Sequence, residues 1–235
     1  MRLDKFLCEM NIGTRSQVKT YVKQGQVTVN DSVVKSPDIK IDENSDIVMF
    51  KGKLLSYQKY YYYMLNKPAG VVSATRDNTA DTVVSLLGDA KRDDIFPVGR
   101  LDKDTTGLLL LTNDGDLAHM MLSPKKHVDK VYRVSLAHPL NTMDVERLEQ
   151  GVDIGEESDT LPAKVEIIED LTILLTIREG KFHQVKRMLQ AVDNQVMALE
   201  RVSFGPLRLD DSLQPGKFRE LTEDEVAQCR KCLMK

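Results

Sequence analysis

Residues 99–115 read GRLDKDTTGLLLLTNDG, and few folds accommodate that stretch. The four leucines at 108–111 with Thr112 form a short apolar run bounded by turn residues, the mark of a buried strand. Asn113-Asp114-Gly115 closes the run as a hairpin turn or a helix entry. On the other side, Gly99 and Thr105-Thr106-Gly107 bracket Asp102, which stands between Arg100 and Lys103. A loop of small, turn-capable residues holds a side chain in place and leaves backbone donors free. A carboxylate there has three uses: structural cap, metal ligand or catalytic group. Asp104, Asp114 and Asp116 do not follow a calcium-loop spacing, which argues against a metal and leaves them as turn residues.

The rest of the chain sets the frame for that loop. With 235 residues, 41% hydrophobic and 29% charged, it suits a water-soluble globular protein with one large and one small domain. No apolar run approaches the roughly 18 to 20 residues of a membrane helix, so no membrane partner is expected. Asp4, Lys5 and Glu9 interrupt the N-terminus too early for a signal-peptide core. Three cysteines in such a chain point to a reducing cytoplasm and unpaired thiols. Cys229 and Cys232 form a C-x-x-C, which on a terminal helix reads as i, i+3 packing rather than a metal or redox site.

The net charge of −3 hides an uneven distribution, since residues 1–40 alone carry +3. Within them Leu3, Phe6, Leu7 and Met10 recur at helical spacing, and the helix is expected to end near Gly13. Thr14 and Gln17 fit a capping box that opens a second helix. Val18, Tyr21 and Val22 are its buried stripe, and Gly25 ends it. QVTVNDSVV then reads as a strand, an Asn30-Asp31 turn and a returning strand, with SDIVMF a third. The polar faces of the two helices carry Arg2, Lys5, Arg15 and Lys19, cations able to meet a phosphate backbone. The R-L-D-K-F opening, the T-R-S helix start and the G-x-V-x-V-N strand entry resemble the S4 RNA-binding domain. That resemblance implies recognition of structured RNA through the helix pair, by shape and phosphates.

Beyond residue 57 the pattern changes. The tyrosines at 60–63 with Met64-Leu65 have strong β preference, and Asn66-Lys67-Pro68-Ala69-Gly70 reads as a turn. VYRVSLA, AKVEIIED and TILLTIRE are further strands without βαβ alternation. Val185, Met188, Leu189 and Val192 mark a buried helical stripe, placing Lys186 just off it and Arg187 nearer solvent. The Glu179-Gly180 turn brings that helix's N-terminus towards the loop, and His183 reads as structural or RNA-facing. Thr222-Glu223-Asp224-Glu225 caps a last helix that includes Val226 and Leu233.

G-R-L-D-x-x-T-x-G-L-L-L-L-T-N-D-G resembles the catalytic motif of the RsuA-like family of pseudouridine synthases. Asn66-Lys67-Pro68-Ala69-Gly70, Lys130-Val131-Tyr132-Arg133-Val134 and Glu179-Gly180-Lys181-Phe182-His183-Gln184-Val185-Lys186-Arg187-Met188 resemble its other motifs in order. The resemblance implies an isomerase that breaks the N1–C1′ bond of a uridine in RNA, turns the base and forms a C5–C1′ bond, with no cofactor. It implies Asp102 as the catalytic aspartate, Lys186 as its basic partner and Tyr132 as the residue stacked on the target base. Arg100 would contact RNA where the nucleotide is flipped out, as chemistry inside a stack requires. Lys67, Arg133 and Arg187 are further expected RNA contacts. The carboxylate would attack C1′ or take the C2′ proton; both routes need the anion, which nearby cations favour.

The resemblance also implies an α+β fold: a small S4-like module over 1–58, then a catalytic domain over 59–235 on a mixed, mostly antiparallel sheet with flanking helices. The MRLDKF start and E-G-K-F-H-Q-V-K-R-M look most like the branch that modifies one site in 16S rRNA. The expected partner is therefore 16S rRNA or a small-subunit assembly intermediate, bound by a monomer. A 23S rRNA target remains an alternative, as does a non-catalytic S4-type assembly protein. A glycosidic-bond hydrolase is disfavoured, because no second carboxylic acid pairs with Asp102.

Overall fold

The computed structural model describes residues 1–43 and 45–233, and the side chains of Cys232 and Leu233 fall outside the described residues. The chain forms two compact units, Met1–Lys59 and Tyr60–Lys235.

The first unit packs helices α1 (Leu3–Glu9) and α2 (Arg15–Lys23) on a small antiparallel sheet. Its strands β1 (Val27–Val29), β2 (Ser32–Val33), β3 (Val48–Phe50) and β4 (Lys53–Leu55) lie in the order β2-β1-β3-β4. Leu3, Phe6, Leu7, Val18, Val22, Val27 and Val48 make its core. The capping box forms as the spacing predicts: Thr14 Oγ1 accepts from the Gln17 N–H, and Gln17 Oε1 from the Thr14 N–H. The Asn30-Asp31 turn has both residues at positive φ, the geometry that matches the twist of a two-residue hairpin. The first helix stops earlier than expected. Asn11, at φ 58°, takes the left-handed position assigned to Gly13; asparagine is among the few residues besides glycine that adopt it readily. The hairpin partner β4 was not foreseen, because Lys51-Gly52 separates it from β3 by only two residues.

The second unit holds β5 (Tyr62–Lys67), β6 (Phe96–Pro97), β7 (Thr106–Thr112), α3 (Gly115–Leu122), β8 (Lys130–Leu136) and α4 (Thr142–Gln150). After them come β9 (Lys164–Glu169), β10 (Thr172–Ile177), α5 (Gln184–Ala191), β11 (Val196–Phe204), β12 (Leu207–Arg208), β13 (Phe218–Glu220) and α6 (Glu223–Leu233). The main sheet runs β13-β5-β7-β11-β8-β10-β9, with β6 added to β7 and β12 to β11. Its strands pair antiparallel except β7 and β11, which run parallel at its centre. The class is α+β, and among the described residues no helix is long and apolar enough to cross a membrane.

The leucine run explains why β7 is central. Leu109 and Leu111 join the core under α4 and α5, with Leu148, Met188 and Leu189. Leu108 and Leu110 join the opposite core, with Leu117 and Met121 of α3 and Cys229 of α6. A strand with apolar side chains on both faces fits only a sheet covered on both sides. Each of these leucines is fully buried, worth about 1.5–3 kcal/mol apiece. Gly107 starts the run where β11 comes closest: its φ is +96°, and a Cβ would sit 2.4 Å from the Arg201 carbonyl oxygen. Asn66 and Lys67, expected in a turn, instead complete β5, and the chain turns at Ala69-Gly70. On the last helix Cys229 is buried in the core, while the C-x-x-C partner Cys232 lies outside the described side chains.

Candidate active site

Asp102 sits in the loop that leads into β7, and neighbouring segments fix the backbone of this loop. The Lys67 ammonium reaches from the end of β5 under the loop. It donates to the carbonyl oxygens of Asp102 (3.0 Å), Lys103 (3.3 Å), Thr105 (2.8 Å) and Pro68 (3.1 Å). Ser73 Oγ donates to the Leu101 carbonyl at 2.8 Å and accepts from the Leu101 N–H at 3.0 Å. The Gly70 N–H donates to the Lys103 carbonyl at 2.8 Å, and the Thr105 N–H closes a turn onto the Asp102 carbonyl at 3.1 Å. The Asn66–Gly70 motif thus serves as a holder for the loop. Lys67 was expected to contact RNA; at 0% exposure it cannot, and its charge faces backbone carbonyls instead. Burial lowers its pKa to about 8, against the opposing pull of Asp104 and Asp102.

The carboxylate of Asp102 remains partly exposed and faces α5. Lys186 Nζ lies 3.2 Å from Asp102 Oδ2, bringing together the pair named from the sequence. The same ammonium is bound more tightly by Asp104, at 2.7 and 2.9 Å to its two oxygens. Asp104 is therefore more than a turn residue, since it divides Lys186 with Asp102. Burial alone would lower the Lys186 pKa, but the bonds to Asp104 and Asp102 outweigh it and hold the pKa above the usual lysine value. The bond from Lys186 likewise keeps Asp104 below the usual carboxylate range. His183 is a further neighbour, with Nε2 3.6 Å from Asp102 Oδ1. It stands just before α5 in the left-handed region, φ 50° and ψ 32°, uncommon for a residue with a Cβ.

Asp102 opens onto two adjoining cavities. One, of about 80 Å³, is walled by the buried side chains of Tyr132, Leu199, Ile177 and Val185, with Arg100, Lys186 and His183 also lining it. Thr105 Oγ1, buried beside Asp102, has no hydrogen-bond partner among the described residues. The other cavity, of about 500 Å³, is lined by Ala69, Gly70, Asp102, Lys103, Asp104, His183 and Lys186. Apolar walls, one aromatic ring and a carboxylate at the opening suit a flat, partly apolar group attached to a polar one. Arg100 is exposed and has no ion pair or hydrogen bond among the described residues, so its guanidinium is available to a phosphate.

Other expected contacts are placed differently. Successive side chains of a strand point to opposite faces, so with Tyr132 turned into the cavity, Arg133 projects from the other face, where it pairs with Glu200 at 3.1 Å. Arg187 is turned away from Asp102: it donates to the carbonyls of Ile154 and Phe182 (3.1 Å for the latter) and to Glu156 at 2.7 Å, tying α5 to the 154–156 loop. In the first unit Arg2 pairs with Asp4 at 2.9 Å and Lys5 with Glu9 at 3.5 Å. Arg15 and Lys19 are exposed on α2 and have no ion pair among the described residues.

Sequence reading missed Arg201, which is buried on β11 with Nε donating to the Leu108 carbonyl at 2.8 Å and its guanidinium over Phe204 at 4.8 Å. It also gave no sign of the position of Lys130, which entered only as part of a motif. That side chain is buried, bonded to the Val128 carbonyl at 3.1 Å, and its pKa falls to about 8 through burial and the nearby Arg201 charge. Neither residue lines the cavities.

Comparison with known proteins agrees with this architecture. The family model described as RNA pseudouridylate synthase matches residues 61–191, and the S4 domain model matches residues 1–47. The chain is 48% identical to the uncharacterized RNA pseudouridine synthase YtzG of Bacillus subtilis, over 96% of this chain and 97% of that protein. It is 45% identical to ribosomal small subunit pseudouridine synthase A of Vibrio cholerae, covering 97% of this chain and 98% of that one. For the Escherichia coli protein of the same name the figures are 39%, 97% and 99%. A crystal structure of a pseudouridylate synthase superposes with a TM-score of 0.70 at 40% identity, covering 97% of this chain and 99% of that chain.

Proposed function

The chain belongs to the RNA pseudouridylate synthase family, RsuA-like and with an N-terminal S4 domain, and from that premise we propose that it isomerises one uridine of 16S rRNA, with Asp102 as its catalytic carboxylate. The observation that carries the role of Asp102 is its position: a backbone-held aspartate 3.2 Å from the Lys186 ammonium, at the mouth of a cavity walled by Tyr132. The 16S target is supported by the names of the relatives from Vibrio cholerae and Escherichia coli.

The uridine leaves its stack, because C1′ and C5 cannot exchange partners inside one. Tyr132, Leu199 and Ile177 receive the uracil, and Arg100 holds a neighbouring phosphate. Asp102, ionised and paired with Lys186, acts at the ribose. As a nucleophile it bonds to C1′ as the N1–C1′ bond breaks and leaves C1′ when C5 attacks; as a base it removes the C2′ proton as the N1–C1′ bond breaks, giving a glycal, and returns that proton to C2′ as the C5–C1′ bond forms. In either route the freed uracil turns within the cavity until C5 meets C1′. C5 then loses its proton, N1 gains one, and the carboxylate is released unchanged. Atoms and electrons balance within the substrate, so the proposed reaction needs no cofactor. The S4 unit supplies RNA affinity, with Arg15 and Lys19 the cations best placed for phosphates, and the protein acts as a monomer.

The test incubates wild type and Asp102→Asn with unmodified 16S and 23S rRNA, naked and as ribonucleoprotein, and maps pseudouridine by carbodiimide and primer extension. The expected result is one modified 16S uridine with wild type and none with the variant. Equal modification by the variant removes Asp102 from the chemistry, and modification confined to 23S rRNA overturns the target.

A further inference from the structure

Phe182 is 72% exposed. An isolated exposed phenylalanine is unremarkable on a protein surface, but this one is not isolated. Its ring stacks on the imidazole of His183, centroids 3.8 Å apart and planes at 20°. His183 in turn lies 3.6 Å from the Asp102 carboxylate. The two rings form a short stack that starts beside the carboxylate and ends in solvent. Among the described residues no third ring continues it.

The backbone around the stack is anchored on both sides. Lys181 Nζ donates to the carbonyls of Ser158 and Asp159 at 3.0 and 3.2 Å. Arg187 Nη1 donates to the Phe182 carbonyl itself at 3.1 Å. His183 holds a left-handed conformation, uncommon in a residue with a Cβ, with its ring beside Asp102 and against that of Phe182. Phe182 lines neither cavity; it stands one residue outside the position that borders both.

A uridine leaving its stack strips its neighbours of a stacking partner. We propose that the Phe182–His183 pair is a platform on which the nucleobase next to the flipped uridine restacks. An aromatic face accepts any base, so this subsite adds affinity and helps hold the RNA open without reading sequence. The inference rests on the Asp102 cavity taking the uridine, and it assigns Phe182 a binding role rather than a chemical one.

Once the modified uridine is mapped, 2-aminopurine is placed on either side of it in a 16S fragment. Binding is read by fluorescence with wild type, Phe182→Ala and Phe182→Trp, each also combined with Asp102→Asn. Stacking quenches the probe. The expected result is quenching at one flanking position with wild type and Phe182→Trp, and its loss in Phe182→Ala. KM should rise about tenfold in the alanine variant, with kcat changed less and the thermal midpoint unaltered. A Phe182→Ala protein that quenches and reacts like wild type overturns the platform, as does a tryptophan variant as impaired as alanine. The uridine reading is judged separately: Asp102→Asn that still isomerises removes that reading, whereas no quenching at either flanking position with wild type, while Asp102→Asn is inactive, removes only the platform.

Discussion

The two segments that meet at Asp102 are built in opposite ways. Residues 99–105 are held through their backbone: Leu101 and Thr105 are buried, and Lys67, Ser73 and Gly70 bind the loop's carbonyls and the Leu101 N–H. Residues 181–186 come from a helix start and present side chains instead, an exposed phenylalanine, a histidine and an ammonium shared between two carboxylates. Under the proposed function, the group that would have to sit to within about half an ångström of a reacting carbon, Asp102, lies on the fixed side. The groups proposed to meet RNA lie on the side that presents side chains. Two lysines mark the contrast: Lys67 binds only carbonyls and is wholly buried, whereas Lys186 binds carboxylates and keeps contact with water.

Removing each lysine is the most direct way to break that comparison. Lys67→Met leaves the carbonyls of Pro68, Asp102, Lys103 and Thr105 without this donor. The expected cost is about 2 kcal/mol in urea unfolding at pH 7, with kcat lowered about 10²-fold as the loop shifts. Lys186→Met should cost at most about 1 kcal/mol, because its ion pairs are solvent-screened, while lowering kcat as severely. Equal stability losses in the two variants would mean that the loop is not backbone-held.

The next effect is smaller and depends on pH. Lys67 has a folded pKa of about 8, below the 10.5 of a free lysine. Between those values the unfolded chain holds a proton on Lys67 that the folded chain has released. The contribution of this group to stability therefore rises with pH across that window and is constant below it. Activity should move the other way. Deprotonation leaves Lys67 two N–H donors in place of three, so the loop loosens and kcat falls above about pH 8. Measured against Lys67→Met, wild type should show both slopes, and the variant should show neither of these components.

Which parts of this were legible in the sequence follows the same division. The loop, its aspartate and the central strand could be read because turn residues and a leucine run are local signals. The proximity of Lys186 came from motif resemblance, since 84 residues separate it from Asp102 and no spacing rule connects them. The burial of Lys67 left no local trace: a lysine before Pro-Ala-Gly looks like a turn cation, and three of its four carbonyl partners lie 35 to 38 residues on. Arg133 was foreseeable from strand alternation alone, because a strand that turns Tyr132 inward turns its neighbour outward. Arg201 carried no such signal, as its acceptor is a main-chain oxygen on the parallel neighbour β7.

The smallest effect concerns Asp104, which belongs to the fixed loop yet points to the segment that presents side chains. Its side chain is 72% exposed and lies 2.7 Å from Lys186, closer than Asp102 at 3.2 Å. Asp104→Asn keeps the shape and removes one negative charge from the mouth of the cavity proposed to meet an RNA backbone. Lys186 then has one carboxylate to neutralise, and repulsion of the phosphates weakens. KM for RNA should fall about two- to threefold at low salt, with the gain fading near 0.15 M salt, where exposed charges are screened beyond about 8 Å. The rate of the bound complex should change less than KM, because the backbone contacts that place Asp102 do not involve the Asp104 side chain. A tenfold loss of kcat in Asp104→Asn would show that dividing Lys186 between two carboxylates positions the catalytic pair, and would move Asp104 from the rim into the chemistry.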